Sequence, residues 1–127
     1  MKPFKLMCSL HGHTGDVKSL CSTRDSGGGF VSASRDLTAK LWQTNKAFEH
    51  DSTDEESIQY NQAQTISVHT KFVNAVAVVY ALKDFPNGLI ITGSNDQTIA
   101  IHDIESNKLL MQVKEHEGAG WFCFFFS

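Results

Sequence analysis

The chain has 127 residues, a formal net charge of -3, and 41% hydrophobic against 20% charged residues, which describes one ordinary globular domain. No basic stripe and no basic-aromatic interleaving is present, so nucleic acid is not expected as a partner. The longest apolar run, Trp121 to Phe126, is far short of the roughly 20 residues a spanning helix needs, so a membrane is not expected either.

The segment Met1 to Leu10 lacks the apolar run and small-residue cleavage site of a secretory signal. Cys8, Cys21 and Cys123 are an odd number at no framework spacing, which suits small apolar residues in a reducing compartment. The expected location is therefore the cytoplasm, with the nucleus as the alternative.

Along the chain, His13 precedes an apolar segment, Val17 to Cys21, and Gly27-Gly28-Gly29 then marks a turn. Those glycines do not follow a strand and open a helix, so they form no phosphate cradle. Residues 30 to 42, FVSASRDLTAKLW, read as two short strands around a polar turn, Arg35-Asp36-Leu37. From Asn45 to Gln62 a solvated acidic loop is expected, because Glu49, Asp51, Asp54, Glu55 and Glu56 occur with no Lys or Arg between them.

The pattern then repeats. His69 precedes the apolar segment Val73 to Val79, Asn87-Gly88 marks a turn, and residues 90 to 102, IITGSNDQTIAIH, read as a second hairpin around Asn95-Asp96-Gln97. Asp36 lies six residues before Trp42, as Asp96 does before His102. A third histidine, His116, stands at the equivalent place before the C-terminal tail, and the histidine spacings are near or above the roughly 40 to 45 residues of one propeller blade. No amphipathic helical stretch of convincing length is present, so the chain reads as all-β.

These residues carry a resemblance to the WD-repeat β-propeller family, whose repeat runs from a Gly-His pair to a Trp-Asp pair. Gly12-His13 matches the first signature and Trp42-Gln43 half of the second, while Val68-His69 and His102-Asp103 each keep one residue of their pair. The fold implied is a propeller fragment of about two four-stranded antiparallel blades plus an orphan N-terminal strand, Phe4 to Leu10. Blade one is expected at about 16 to 68, with strands at 16–22, 30–34, 38–43 and 64–68 and the acidic insert at 45–62. Blade two is expected at about 72 to 113, with strands at 72–80, 89–93, 98–103 and 109–113. The partial propeller is thus expected over 1 to 117, with 118 to 127 a divergent tail, either read-through into an intron or another transcript artefact, or else a real terminal strand.

The resemblance also assigns the polar residues. It implies two buried structural tetrads, His13, Ser32, Asp36 and Trp42, and His69, Thr92, Asp96 and His102, the second weakened by an imidazole in place of the indole. A catalytic reading of Ser-His-Asp is disfavoured, since no G-x-S-x-G elbow occurs and the tetrad already satisfies those groups. Zinc on Cys8, His11, His13 and Cys21 is disfavoured because no pairing has finger spacing, and neither metal nor cofactor is expected.

Within the family the order of motifs is most similar to the propeller of a ubiquitin-binding adaptor of an AAA ATPase. The resemblance therefore implies ubiquitin as partner of the intact propeller's top face, with the ATPase bound only through downstream domains that this chain lacks. Positions facing that surface are Asp16, Arg35, Phe72 and Asn95, of which Asp16 matches the ubiquitin-contacting position best. The alternatives are a general WD-repeat scaffold and a truncated isoform without independent function. On each of these readings the chain is not an enzyme.

Overall fold

The computed structural model describes residues 6, 8–23, 28–44, 59–80 and 83–114. Eight strands run in chain order: β1 Val17–Ser22, β2 Phe30–Ser34, β3 Ala39–Thr44, β4 Tyr60–Ile66, β5 Val73–Val79, β6 Leu89–Ser94, β7 Thr98–Asp103 and β8 Lys108–Lys114. They form two antiparallel four-stranded sheets with neighbours in sequence order, β1-β2-β3-β4 and β5-β6-β7-β8. Two blades of a propeller, with no helix among the described residues, are therefore the architecture.

The hairpins follow from local chemistry. In the β2–β3 turn the Ser34 amide donates to the Thr38 carbonyl at 3.0 Å. The Asp36 carboxylate accepts from the Thr38 amide at 3.0 Å, and the Asp36 amide donates to the Ser34 hydroxyl at 3.1 Å. The β6–β7 turn repeats the two side-chain contacts through Ser94, Asp96 and Thr98, and there the Gln97 amide donates to the Ser94 carbonyl at 3.2 Å. Each turn places one residue in the left-handed region, Leu37 at φ 77° and Gln97 at φ 68°, as three-residue hairpin loops do. Gly88, at φ 89°, turns the chain into β6 where a Cβ would collide with the Val79 carbonyl oxygen.

Most strand bounds lie within a residue of the sequence expectation, and β4 is the exception. It starts at Tyr60, so residues 60 to 62 belong to the sheet rather than the acidic insert, and it ends at Ile66 rather than Val68. Pairing of Tyr60 with Thr44, and its ring 5.6 Å from that of Phe30, extend the sheet beyond what apolar pattern alone marks. Residues 45 to 58 of the insert and the tail 118 to 127 lie outside the described residues. The expected strand Phe4 to Leu10 does so in part, and Leu6 and Cys8–Leu10, which are described, carry no strand.

The core is the seam between the blades. Val31, Ala33, Ala39, Leu41 and Ile66 of blade one pack with Val76, Val78 and Ile90 of blade two, all at most 6% exposed. Across the seam the Gln64 side-chain amide donates to the Ile104 carbonyl at 2.6 Å. Because β5 lies against β1 and β2, the seam fixes the loops at one end of both blades beside each other.

An L-residue in the left-handed region is strained where glycine is not. Gln97→Gly, at an exposed turn position, is expected to raise stability by about 0.5 kcal/mol after glycine's own entropic cost, read by urea melts; a loss of stability would show the turn to be unstrained.

Candidate functional site

The blade-one signature residues converge on a single hydrogen-bonded network. Gly12 enters it because there is no room for a side chain: an added Cβ would lie 2.9 Å from the Trp42 indole and 2.7 Å from the Gln62 amide oxygen. The next residue, His13, is carried to the end of the blade, where its Nδ1 lies 2.8 Å from the Asp36 carboxylate and its Nε2 2.6 Å from the Ser32 hydroxyl. The Trp42 indole N–H donates to that same hydroxyl at 2.8 Å.

The donors assign the protons. Ser32 Oγ accepts from Trp42, so its own proton is free to be donated to His13 Nε2, and Nδ1–H donates to Asp36. This order resembles a nucleophile, base and acid, but Ser32 is 2% exposed and its hydroxyl is held between indole and imidazole. No face of the oxygen is left for attack on a substrate carbonyl, so the set acts as a clamp joining the loop at His13, β2, the turn and β3.

Several members of the clamp are not among the signature residues. The Thr38 hydroxyl donates to Asp36 at 2.6 Å, the Thr14 amide donates to Asp36 at 3.1 Å, and the Ser34 hydroxyl donates to the Gly15 carbonyl at 3.1 Å. Gly15 itself packs so closely that a Cβ would lie 2.9 Å from the Asp36 amide. The signal for the hydroxyls was present in the sequence: Ser34-Arg35-Asp36-Leu37-Thr38 and Ser94-Asn95-Asp96-Gln97-Thr98 share Ser, Asp and Thr at one spacing.

Blade two repeats the clamp except at its last link. His69 Nδ1 lies 3.1 Å from Asp96 and 3.0 Å from the Thr98 hydroxyl, and its Nε2 2.7 Å from the Thr92 hydroxyl. His102 does not join them. Its Nε2 lies 3.1 Å from the Asn107 side-chain oxygen, and its Nδ1, although buried, finds no partner among the described residues. An imidazole is too short to reach from β7 to Thr92 as the indole reaches Ser32, so it turns to the β7–β8 loop instead.

Burial by itself raises the pKa of Asp36, but hydrogen bonds from Thr38, His13 and the Thr14 and Thr38 amides outweigh it and hold the group at about 2, from 3.8. Asp96 is likewise held at about 2, burial again being opposed, here by Thr98, the Thr70 amide, His69 and the Thr98 amide. Asp103, which caps the β7–β8 turn, is lowered mainly by the Ser106 hydroxyl.

The exposed residues expected to face a partner are drawn together at the end of the seam. Arg35 donates to Asp16 at 3.2 Å, and its guanidinium carbon lies 5.5 Å from the centre of the Phe72 ring. The Arg35 amide donates to the Asp16 carbonyl at 2.9 Å, and the Asn95 amide to the Phe72 carbonyl at 3.0 Å, so each blade ties its own pair by backbone. Beside Phe72 a groove of about 220 Å³ is lined by Leu37 of blade one and Thr70, Lys71, Phe72 and Asn95 of blade two. Asp16, Arg35, Phe72 and Asn95 thus form one surface across two blades.

Among the described residues no group of three or more His, Cys, Asp or Glu is placed to hold a metal ion. Cys8 is exposed and Cys21 half-buried on β1. No helix among these residues is long and apolar enough to cross a membrane.

Two four-stranded antiparallel blades, each clamped by His, Ser or Thr, and Asp, define a propeller segment built of WD repeats. The chain belongs to the WD40 family: the model of the WD domain, G-beta repeat, matches residues 4–43 and 60–103. It is 35% identical over 115 residues to phospholipase A-2-activating protein of Xenopus laevis, covering 90% of this chain and 13% of that protein. Transducin beta-like protein 3 of Homo sapiens is 32% identical over 125 residues, 94% of this chain and 15% of its own length. A guanine nucleotide-binding protein subunit beta of Arabidopsis thaliana is 32% identical over 106 residues, 83% of this chain and 23% of its own length. The chain therefore spans under a quarter of the length of each of these relatives, and it is a WD-repeat protein-interaction module.

The depressed aspartates make stability depend on acid. In the unfolded chain each titrates near 3.9, in the folded chain near 2, so the stabilisation is fully present above about pH 4 and is lost as pH falls through 2. Each carboxylate is expected to contribute about 2 kcal/mol. Asp36→Asn should lower stability at pH 7 and flatten the fall between pH 4 and 2, measured by denaturant midpoints; an unchanged acid slope would remove Asp36 as its source. Trp42→Phe, which removes the indole donor from Ser32 and shrinks a buried side chain, is expected to cost about 1 to 3 kcal/mol, whereas a shift below about 0.5 kcal/mol would show that the indole bond is dispensable.

Proposed function

We propose that the surface formed by Asp16, Arg35, Phe72 and Asn95 is the partner-binding site and that its partner is ubiquitin. The observation that supports the site is the Asp16–Arg35–Phe72 chain: a carboxylate holds a guanidinium over a ring that is itself 42% exposed. Arginine and aromatic side chains are the residues that most often carry the energy of a protein interface. Here the partner meets an arginine already oriented, so less side-chain entropy is lost on binding.

Ubiquitin as the partner is supported by the similarity of motif order to a ubiquitin-binding adaptor, and Asp16 is the contact assigned by it. Binding, not catalysis, is the activity, since the buried Ser32 and Thr92 hydroxyls serve the clamps. A link to an AAA ATPase would run through regions beyond this chain, and the site of action would be the cytoplasm or nucleus.

Titration of isotope-labelled ubiquitin with the full chain and with Asp16→Arg tests the reading. The variant, which reverses the charge that holds Arg35, is expected to weaken binding at least about tenfold, as does Phe72→Ala. Equal affinity in folded variants would discard the site, and no binding by the unaltered chain would discard ubiquitin.

A further inference from the structure

The β2–β3 turn requires a left-handed residue at position 37, but it does not require leucine. Leu37 is a bulky side chain held at φ 77°, a region such residues avoid, and it is 38% exposed. Gln97, its counterpart in blade two, shares the conformation but presents an amide. Backbone strain persists only where the surroundings impose it, and it gathers at ligand sites. Here it holds an apolar wall, with Phe72, in the groove of about 220 Å³ that Thr70, Lys71 and Asn95 complete. A cavity of roughly 150 Å³ already takes a benzene-sized group, so one large aliphatic side chain fits.

The exposed charges around that groove have one prevailing sign. Asp36 and Asp96 point into the clamps, their side chains 7% exposed. Among the described residues of the loops, turns and bulges at this end, the other charged groups are Asp16, Lys18, Arg35 and Lys71. They are three cations against one carboxylate, in a chain whose net charge is -3. Lys18 belongs to this end because it fills the β1 bulge as Asn74 fills that of β5, and the Asn74 amide donates to the Asn95 side chain.

These cations have donors to spare. Arg35 gives one N–H to Asp16 and keeps others in its fork. Lys18 and Lys71 pair with no carboxylate among the described residues. Arg35 of blade one lies over the Phe72 ring, and Lys71 of blade two lines the groove, so each blade brings a cation to it.

We infer that the junction groove binds an acidic linear segment of a partner protein, one aliphatic side chain entering between Leu37 and Phe72 while flanking carboxylates meet Arg35 and Lys71. Burial of the aliphatic group supplies most of the affinity, because exposed ion pairs add little by themselves. The cations set orientation and speed the encounter. A groove for one side chain, bordered by cations, matches a short contiguous segment rather than a broad folded face. The inference rests on this surface being a partner site but not on ubiquitin being the partner. The two ligands share Phe72 and Asn95, so they compete.

Fluorescence anisotropy of the full chain with a labelled Asp-Glu-Leu-Asp-Glu peptide, its ends blocked, tests the inference. Replacing the acids by their amides, or the Leu by Ser, is expected to weaken binding at least about tenfold, and raising salt from about 50 to about 500 mM should weaken the acidic peptide. Leu37→Asn suits the left-handed turn, so it should keep or raise the urea midpoint while losing at least about tenfold in peptide affinity, a split that a merely structural leucine would not give. Lys71→Glu should lose as much. Equal binding of the acidic and amide peptides, or equal binding by folded Leu37→Asn or Lys71→Glu, overturns the inference. Ubiquitin titrated in parallel separates the two readings: a chain that takes ubiquitin but no peptide overturns this inference alone, and one that takes peptide but no ubiquitin overturns only ubiquitin as the partner.

Discussion

Everything in this molecule depends on a buried imidazole that has no freedom left. His13, like His69, receives a hydroxyl proton at one nitrogen and gives its own to a carboxylate at the other. Burying those groups singly would cost several kcal/mol each, whereas buried together they satisfy one another. The result ties a loop, a turn and two strands into one unit without a large local core. A blade four strands wide and one sheet thick has no interior of its own, so the polar clamp holds its end while the neighbouring blade supplies apolar cover.

The two blades show what happens when the clamp is altered. In blade one the indole of Trp42 reaches Ser32 and stacks with Phe30, their ring centres 6.4 Å apart. In blade two the shorter His102 bonds to Asn107, and among the described residues Thr92 is left with the imidazole of His69 alone. Both blades nonetheless have the same strand order and the same turn, because Ser, Asp and Thr of the turn are unchanged. The turn and the histidine are thus the minimum of the device, and the indole is a reinforcement.

The same geometry generates the candidate binding surface. Because Asp36 pins the β2–β3 turn and Gly15 packs against it, Arg35 and Asp16 emerge side by side. The seam then places Phe72 of the next blade under the guanidinium. The candidate surface is therefore a property of the junction, since no single blade holds the carboxylate, the guanidinium and the ring together.

By itself the sequence determined the repeat, the hairpin turns and nearly all strand bounds, because these follow from local periods of apolar residues and from side chains that bond their own turns. It also marked Gly12, His13, Ser32, Asp36 and Trp42, since their spacing recurs. Only the tertiary structure decided the start of β4 at Tyr60, which pairing with Thr44 and a tilted ring contact with Phe30 impose from outside the segment. It alone turned His102 away from Thr92, a matter of reach across two strands, and set Arg35 over Phe72, a matter of how two sheets pack. Local patterns specify what each strand and turn becomes, while contacts between residues distant in the chain depend on distances that no spacing in sequence records.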